Sequence, residues 1–126
     1  MLPNDLRSTL EASLGALRSI TPIGGGDINT AARIETQDTR YLVKWNSHPR
    51  PRMFEVEARG LSLLATAAAL RIPRVIAVID QPAALVLEWI DVGSNKAAAA
   101  EALGHGLAQE HRSTAQTYGL DHDNYI

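Results

Sequence analysis

The 126-residue chain predicts an α+β fold: a five-stranded antiparallel sheet with one helix inserted between the third and fourth strands, a helix in front and another behind. Three observations carry that reading. Apolar residues recur at helical spacing near the N-terminus, after a proline-rich loop in the middle, and in an alanine-rich stretch towards the C-terminus. Between those segments lie five short runs rich in β-branched and other apolar residues. Glycine, proline, Asn and Asp stand at the joins, where reversals of the chain favour them.

Taken in order, Pro3-Asn4-Asp5 favours a turn, and Leu6, Leu10, Leu14 and Leu17 then mark one side of a first helix. Ile20 to Ile23 forms a strand, Gly24-Gly25-Gly26 breaks it, and Ile28, Thr30, Ala32, Ile34 and Thr36 alternate along a second. The polar Gln37-Asp38-Thr39-Arg40 leads directly into Tyr41-Leu42-Val43-Lys44-Trp45, so these three strands are expected as an antiparallel meander. The loop Asn46 to Pro51 cannot extend the third strand, because its prolines lack an N–H to donate. A helix is expected from Met53 to Leu70, a fourth strand from Arg74 to Ile79 and, after Gln81-Pro82, a fifth from Leu85 to Ile90. Both late strands are apolar enough for the centre of a sheet. Asp91 to Asn95 has the composition of a linker, and Lys96 to about Ala115 reads as a helix with Leu103 and Leu107 on one face.

Composition narrows the function. Twelve Lys and Arg against 14 Asp and Glu leave a net charge of −2, with no basic stripe interleaved with aromatics, so nucleic acid is not an expected partner. No run reaches bilayer-spanning length and no charged leader precedes an apolar segment, so a cytoplasmic protein without membrane contact is expected. The absence of cysteine removes thiol nucleophiles, thiolate metal sites and disulfides.

Lys44 and Glu57 then stand out. Alternation places Lys44 on the face of Leu42, with Tyr41, Val43 and Trp45 opposite. Glu57 begins the helical set Glu57, Leu61, Leu64, Ala68, whereas Glu55 shares the face of Arg59, Ser62 and Thr66. An ammonium and a carboxylate each aimed at apolar surroundings lose much less hydration energy if they meet. They are expected to pair, whether for function or only for packing.

The order of elements is also that of the small lobe of a protein-kinase-like fold. In that frame the Gly24-Gly25-Gly26 turn offers unobstructed backbone N–H groups to phosphate oxygens, Lys44 reaches the α and β phosphates, and Glu57 holds its ammonium. Leu87-Glu88-Trp89-Ile90 becomes the hinge, where the Glu88 C=O and Ile90 N–H suit an adenine edge.

Four stretches closely resemble the fructosamine/ketosamine kinase family, a relative of aminoglycoside and choline kinases. They are Gly25-Gly26-Asp27-Ile28-Asn29, Tyr41 to Asn46, Met53 to Leu61, and Gly119 to Ile126. The helix phrase Gly106 to Arg112 agrees, although Glu110 stands where an apolar residue is usual. The resemblance implies transfer of the γ-phosphate of ATP, with Mg2+, to a hydroxyl of a ketosamine. It implies a phosphate loop from Gly24 to Asn29 (Gly24, Gly25, Gly26, Asp27, Ile28, Asn29), Lys44 with Glu57 as its partner, and an adenine hinge at Glu88, Trp89 and Ile90. It also implies a division into a small lobe at 1–90, a hinge at 91–95 and the start of a large lobe at 96–126. The family's catalytic-loop motif, which resembles His-Gly-Asp-Leu-Trp-x-Gly-Asn, does not occur in these residues. The chain is therefore expected to bind ATP but to be inactive alone, and to self-associate through the uncovered face of its last helix.

Two other readings stand beside this one. A nucleotide-binding or interaction module without catalysis would keep the glycine loop, Lys44, Glu57 and the hinge; a kinase of another small amine or an aminoglycoside would differ in its acceptor. Asp121-His122-Asp123-Asn124 near His111 carries nitrogen and oxygen ligands that suit zinc or manganese, but adjacent residues in a short loop seldom converge on one ion, and no metal site is expected.

Overall fold

Alternation of side chains along the strands sorts the sheet into two faces, and each face recruits its own helix. The computed structural model describes residues 1–24 and 28–125. β1 (Ser19–Ile23), β2 (Thr30–Glu35) and β3 (Arg40–Trp45) form the expected meander; β5 (Ala84–Glu88) pairs with β3, and β4 (Val75–Ile79) pairs with β5. All pairings are antiparallel, in the order β1-β2-β3-β5-β4.

One face carries Ala32, Ile34, Val43, Trp45, Ala84 and Val86. Leu6 and Leu10 of α1 (Asn4–Leu14), flanked by Leu2 and Leu17, close over them. The other face carries Leu42, Leu85 and Leu87, covered by Phe54 and Ala58 of α2 (Met53–Thr66). Lys44 lies on this second face, as its parity with Leu42 requires, and Trp45 is a core residue.

Several expectations need correction. β5 is internal to the sheet and buried from Ala84 to Leu87, but β4 is an edge strand, with Ile76 and Val78 alternating into solvent. Apolar composition suits either position; the number of neighbours decides, and β4 has one. β5 ends at Glu88, so Trp89 and Ile90 lie beyond it. β2 is also shorter than its alternating run, beginning at Thr30 and ending at Glu35.

α2 ends at Thr66, four residues before Leu70. The Thr66 hydroxyl donates to the Leu63 carbonyl at 2.6 Å, an alternative to helical pairing, and Ala68 turns left-handed at φ 52°. The buried face of α2 is also rotated from the one expected: Phe54 and Ala58 meet the sheet with Leu61 beside them, while Leu64 is 44% exposed. Glu57 therefore stands at the rim of the helix contact instead of at its centre.

α3 (Lys96–Glu110) begins where the Asn95 side chain accepts the Ala98 N–H at 3.1 Å, and it ends before the expected Ala115. It meets the chain after α2 at Gly106. A Cβ there would lie 2.2 Å from Leu70 Cδ2 and 3.1 Å from the Ala69 carbonyl oxygen. Glu110 departs from the apolar pattern at some expense, because one of its carboxylate oxygens is shielded with no hydrogen-bond partner among the described residues. Leu103 and Leu107 remain half-exposed.

Candidate active site

β3 places Lys44 between Ala31 of β2 and Leu85 of β5. The small Ala31 leaves room above the strand, and Lys44 extends across it to Glu57. Lys44 Nζ lies 2.5 Å from Glu57 Oε1, with both side chains about a quarter exposed at 26% and 24%. The pairing inferred from two inward faces is thus present. The pair sits in a cleft of about 630 Å³ whose lining includes Ile28 and Asn29 from the bend before β2, Ala31 from the sheet, and Met53, Val56 and Leu61 from α2. An ammonium steered by a carboxylate and open on one side to such a cleft is suited to holding an anionic oxygen.

The glycine turn is approached from both ends. Gly25, Gly26 and Asp27 lie outside the described residues. Gly24 precedes them, and a Cβ built on it meets nothing within 4 Å among the described residues. Ile28 and Asn29 follow, and both line the cleft. Asn46 fixes this end: its Nδ2 donates to the Ile28 carbonyl at 2.9 Å and to Asn29 Oδ1 at 3.0 Å. Sequence reasoning assigned Asn46 no role. The meander register pairs Trp45 with Thr30, so one further step along each strand sets Asn46 beside Asn29.

At the end of β5, where the hinge is expected, the Glu88 side chain turns towards the chain before β4. It accepts the Arg74 N–H at 3.2 Å and an Arg71 guanidinium N–H at 2.9 Å, and these hold its carboxyl below the usual range, the backbone bond most strongly. What Glu88 can present to a ligand is therefore its backbone. Trp89 donates its indole N–H to Asp91 at 3.0 Å, and Arg40 forks onto the same carboxylate at 3.0 and 2.9 Å. Arg33 lies over the Trp89 ring, 5.5 Å from its centroid.

The indole bond first, then the charge of Arg40, lowers the Asp91 pKa below its ordinary 3.8. Because the folded value is depressed, the contribution of this clasp is complete above 3.8 and disappears as the pH falls through the lowered value. Acid titration is expected to show a Trp89 fluorescence step in that acidic window, absent in Asp91→Asn. An unchanged step in the variant would assign it to other groups.

Leu120, His122, Asn124 and Tyr125 form a further wall of the cleft, which the sequence did not foretell. His122 Nδ1 contacts the Asp121 carboxylate, and Asp121 also meets Arg59 at 3.3 Å. The His122 hydrogen bond and then the Arg59 charge lower the Asp121 pKa. Among the described residues no three His, Asp or Glu side chains gather as a ligand set.

The sequence profile described as fructosamine kinase matches residues 4–126. The chain belongs to the fructosamine kinase family. Among its curated relatives, a protein named probable ketoamine kinase from Lactiplantibacillus plantarum is 36% identical over 109 residues, which cover 85% of this chain and 37% of that protein. A protein-ribulosamine 3-kinase, chloroplastic, from Arabidopsis thaliana is 32% identical over 121 residues, covering 92% and 37% respectively. A crystal structure of a candidate fructosamine-3-kinase from Haemophilus somnus 129PT superposes with a TM-score of 0.78 at 26% identity, over 97% of this chain and 43% of that one. The fold is thus protein-kinase-like, as the order of elements implied, and the chain spans a little over a third of the curated relatives' length. No helix among the described residues is long and apolar enough to cross a membrane.

Proposed function

We propose that this chain is the ATP-holding part of a ketosamine kinase that phosphorylates a fructosamine or ribulosamine hydroxyl in the cytoplasm. The observation that carries the reading is the Lys44–Glu57 contact at 2.5 Å, at the edge of a cleft that the end of the glycine turn also lines. Lys44 would hold α and β phosphate oxygens with Glu57 steering it, and Gly24 to Asn29 would present backbone N–H groups to the phosphates. The Glu88 carbonyl and Ile90 N–H would read the adenine edge, beside the Trp89 ring, with 91–95 as the division between lobes.

Magnesium would arrive on the phosphates. The described residues gather no set of three or more His, Asp or Glu side chains for it. The catalytic-loop motif is absent from these 126 residues, which favours nucleotide binding without transfer for the chain as it stands.

The test is titration of backbone amide resonances. ATP is expected to shift Asn29, Lys44 and the 88–90 amides, and adenosine only the last group. Incubation of ATP, Mg2+ and a ribulosamine with the chain is expected to yield no phosphorylated product. ATP binding that leaves 88–90 unmoved, or turnover by the chain itself, would overturn this division of roles.

A further inference from the structure

The turn that launches α2 is under strain. Arg52 adopts φ 57°, a left-handed conformation that is unfavourable for a non-glycine residue. Such a residue persists where its surroundings over-determine it. One restraint is local: Arg52 forks onto Glu55 at 2.8 and 2.6 Å. The other comes from far along the chain. The Tyr125 hydroxyl donates to the Pro51 carbonyl at 2.9 Å, and the Arg50 guanidinium lies 5.3 Å from the Tyr125 ring centroid. Four residues earlier, Asp121 meets Arg59, further along α2, at 3.3 Å. His122 holds the same carboxylate.

Tyr125 and Asp121 thus grip α2 just before its start and near its middle, and Glu57 lies between those grips. The segment comes from beyond α3, so the grip is a long-range tie between the last part of the chain and the helix that carries Glu57. The sheet contact through Phe54 and Ala58 fixes how close α2 lies, but Glu57 sits at the rim of that contact, where a small rotation of the helix moves it most.

We propose that residues 120–125 form a strap that sets the seat of α2, with Tyr125 and Asp121 as positioning residues for the Lys44–Glu57 pair. It rests on the observed pair, not on the nucleotide assignment.

The chain contains two lysines, Lys44 and Lys96, so labelling with an amine-reactive reagent reads the pair against a single internal standard. Glu57→Gln defines the full release of Lys44. Tyr125→Ala combined with Asp121→Ala is expected to raise the Lys44-to-Lys96 labelling ratio severalfold, and Tyr125→Phe, which keeps the ring over Arg50 and loses only the bond to Pro51, to give a smaller rise. Amide exchange in β5 should stay at its parental rate. An unchanged ratio in the double variant overturns the proposal. So does a rise accompanied by faster β5 exchange, which would make the segment a general support of the fold. Loss of ATP binding in any of these variants is a separate matter, because the labelling readout contains no nucleotide.

Discussion

Lys44→Ala is expected to weaken ATP binding by about ten- to a hundredfold while adenosine affinity stays unchanged, the range that follows from removing a hydrogen bond to a charged group. The split between ligands matters more than the size of the loss. A lysine that merely supported packing would lower affinity for both through a loosened cleft. A lysine that meets phosphate affects only the ligand that has one. Lys44 is well placed for this distinction, because Ala31 and Leu85, its neighbours across β2 and β5, keep their own contacts when the ammonium is removed. Glu57 is about a quarter exposed and can rehydrate, so little of the change should come from stability. Calorimetric titration of both ligands decides it: equal ATP affinity in variant and parent would make the pair structural.

Phe54→Ala is expected to lower stability by about 3–5 kcal/mol, since a buried phenyl is removed from a closed contact. Phe54 is 3% exposed and is the largest side chain α2 lays on Leu85 and Leu87. Against a typical total of about 5–15 kcal/mol, that is a large share. The melting temperature should fall on the order of ten to twenty degrees. Urea unfolding gives the value directly. A loss below about 1 kcal/mol would mean that α2 is held chiefly from its cleft side, contrary to its burial pattern.

The sequence foretold different parts of this structure with different success, and the reason lies in the range of each interaction. A period of two residues put Lys44 with Leu42 and apart from Val43 and Trp45, because alternation is local. Charges aimed inward identified the Lys44–Glu57 contact because an unpaired pair of that kind would be costly. The rotation of α2 was misjudged: Leu61 and Leu64 outnumber Phe54 as apolar candidates, yet Leu64 faces the open cleft. Choosing between such faces requires knowing what lies opposite. β4 was placed at the centre for the same reason. The grip of Tyr125 on Pro51 spans 74 residues and leaves no periodic trace. Asn46 could have been found by carrying the meander register one residue further.

The clasp of Arg40 and Trp89 on Asp91 has a consequence for length. Arg40 opens β3 and Lys44 stands four residues later on the same face, roughly 13 Å away at the rise of an extended strand. One end of the strand is tied to Asp91 and the other carries the ammonium, so β3 acts as a ruler between the two. Its graduations are coarse. Inserting or deleting one residue would turn Lys44 to the α1 side of the sheet, so only changes of two residues, about 7 Å, keep both ends on one face of the sheet. Any group held at both ends of β3 would consequently be gauged in discrete steps, because drift of the register by one residue reverses the face.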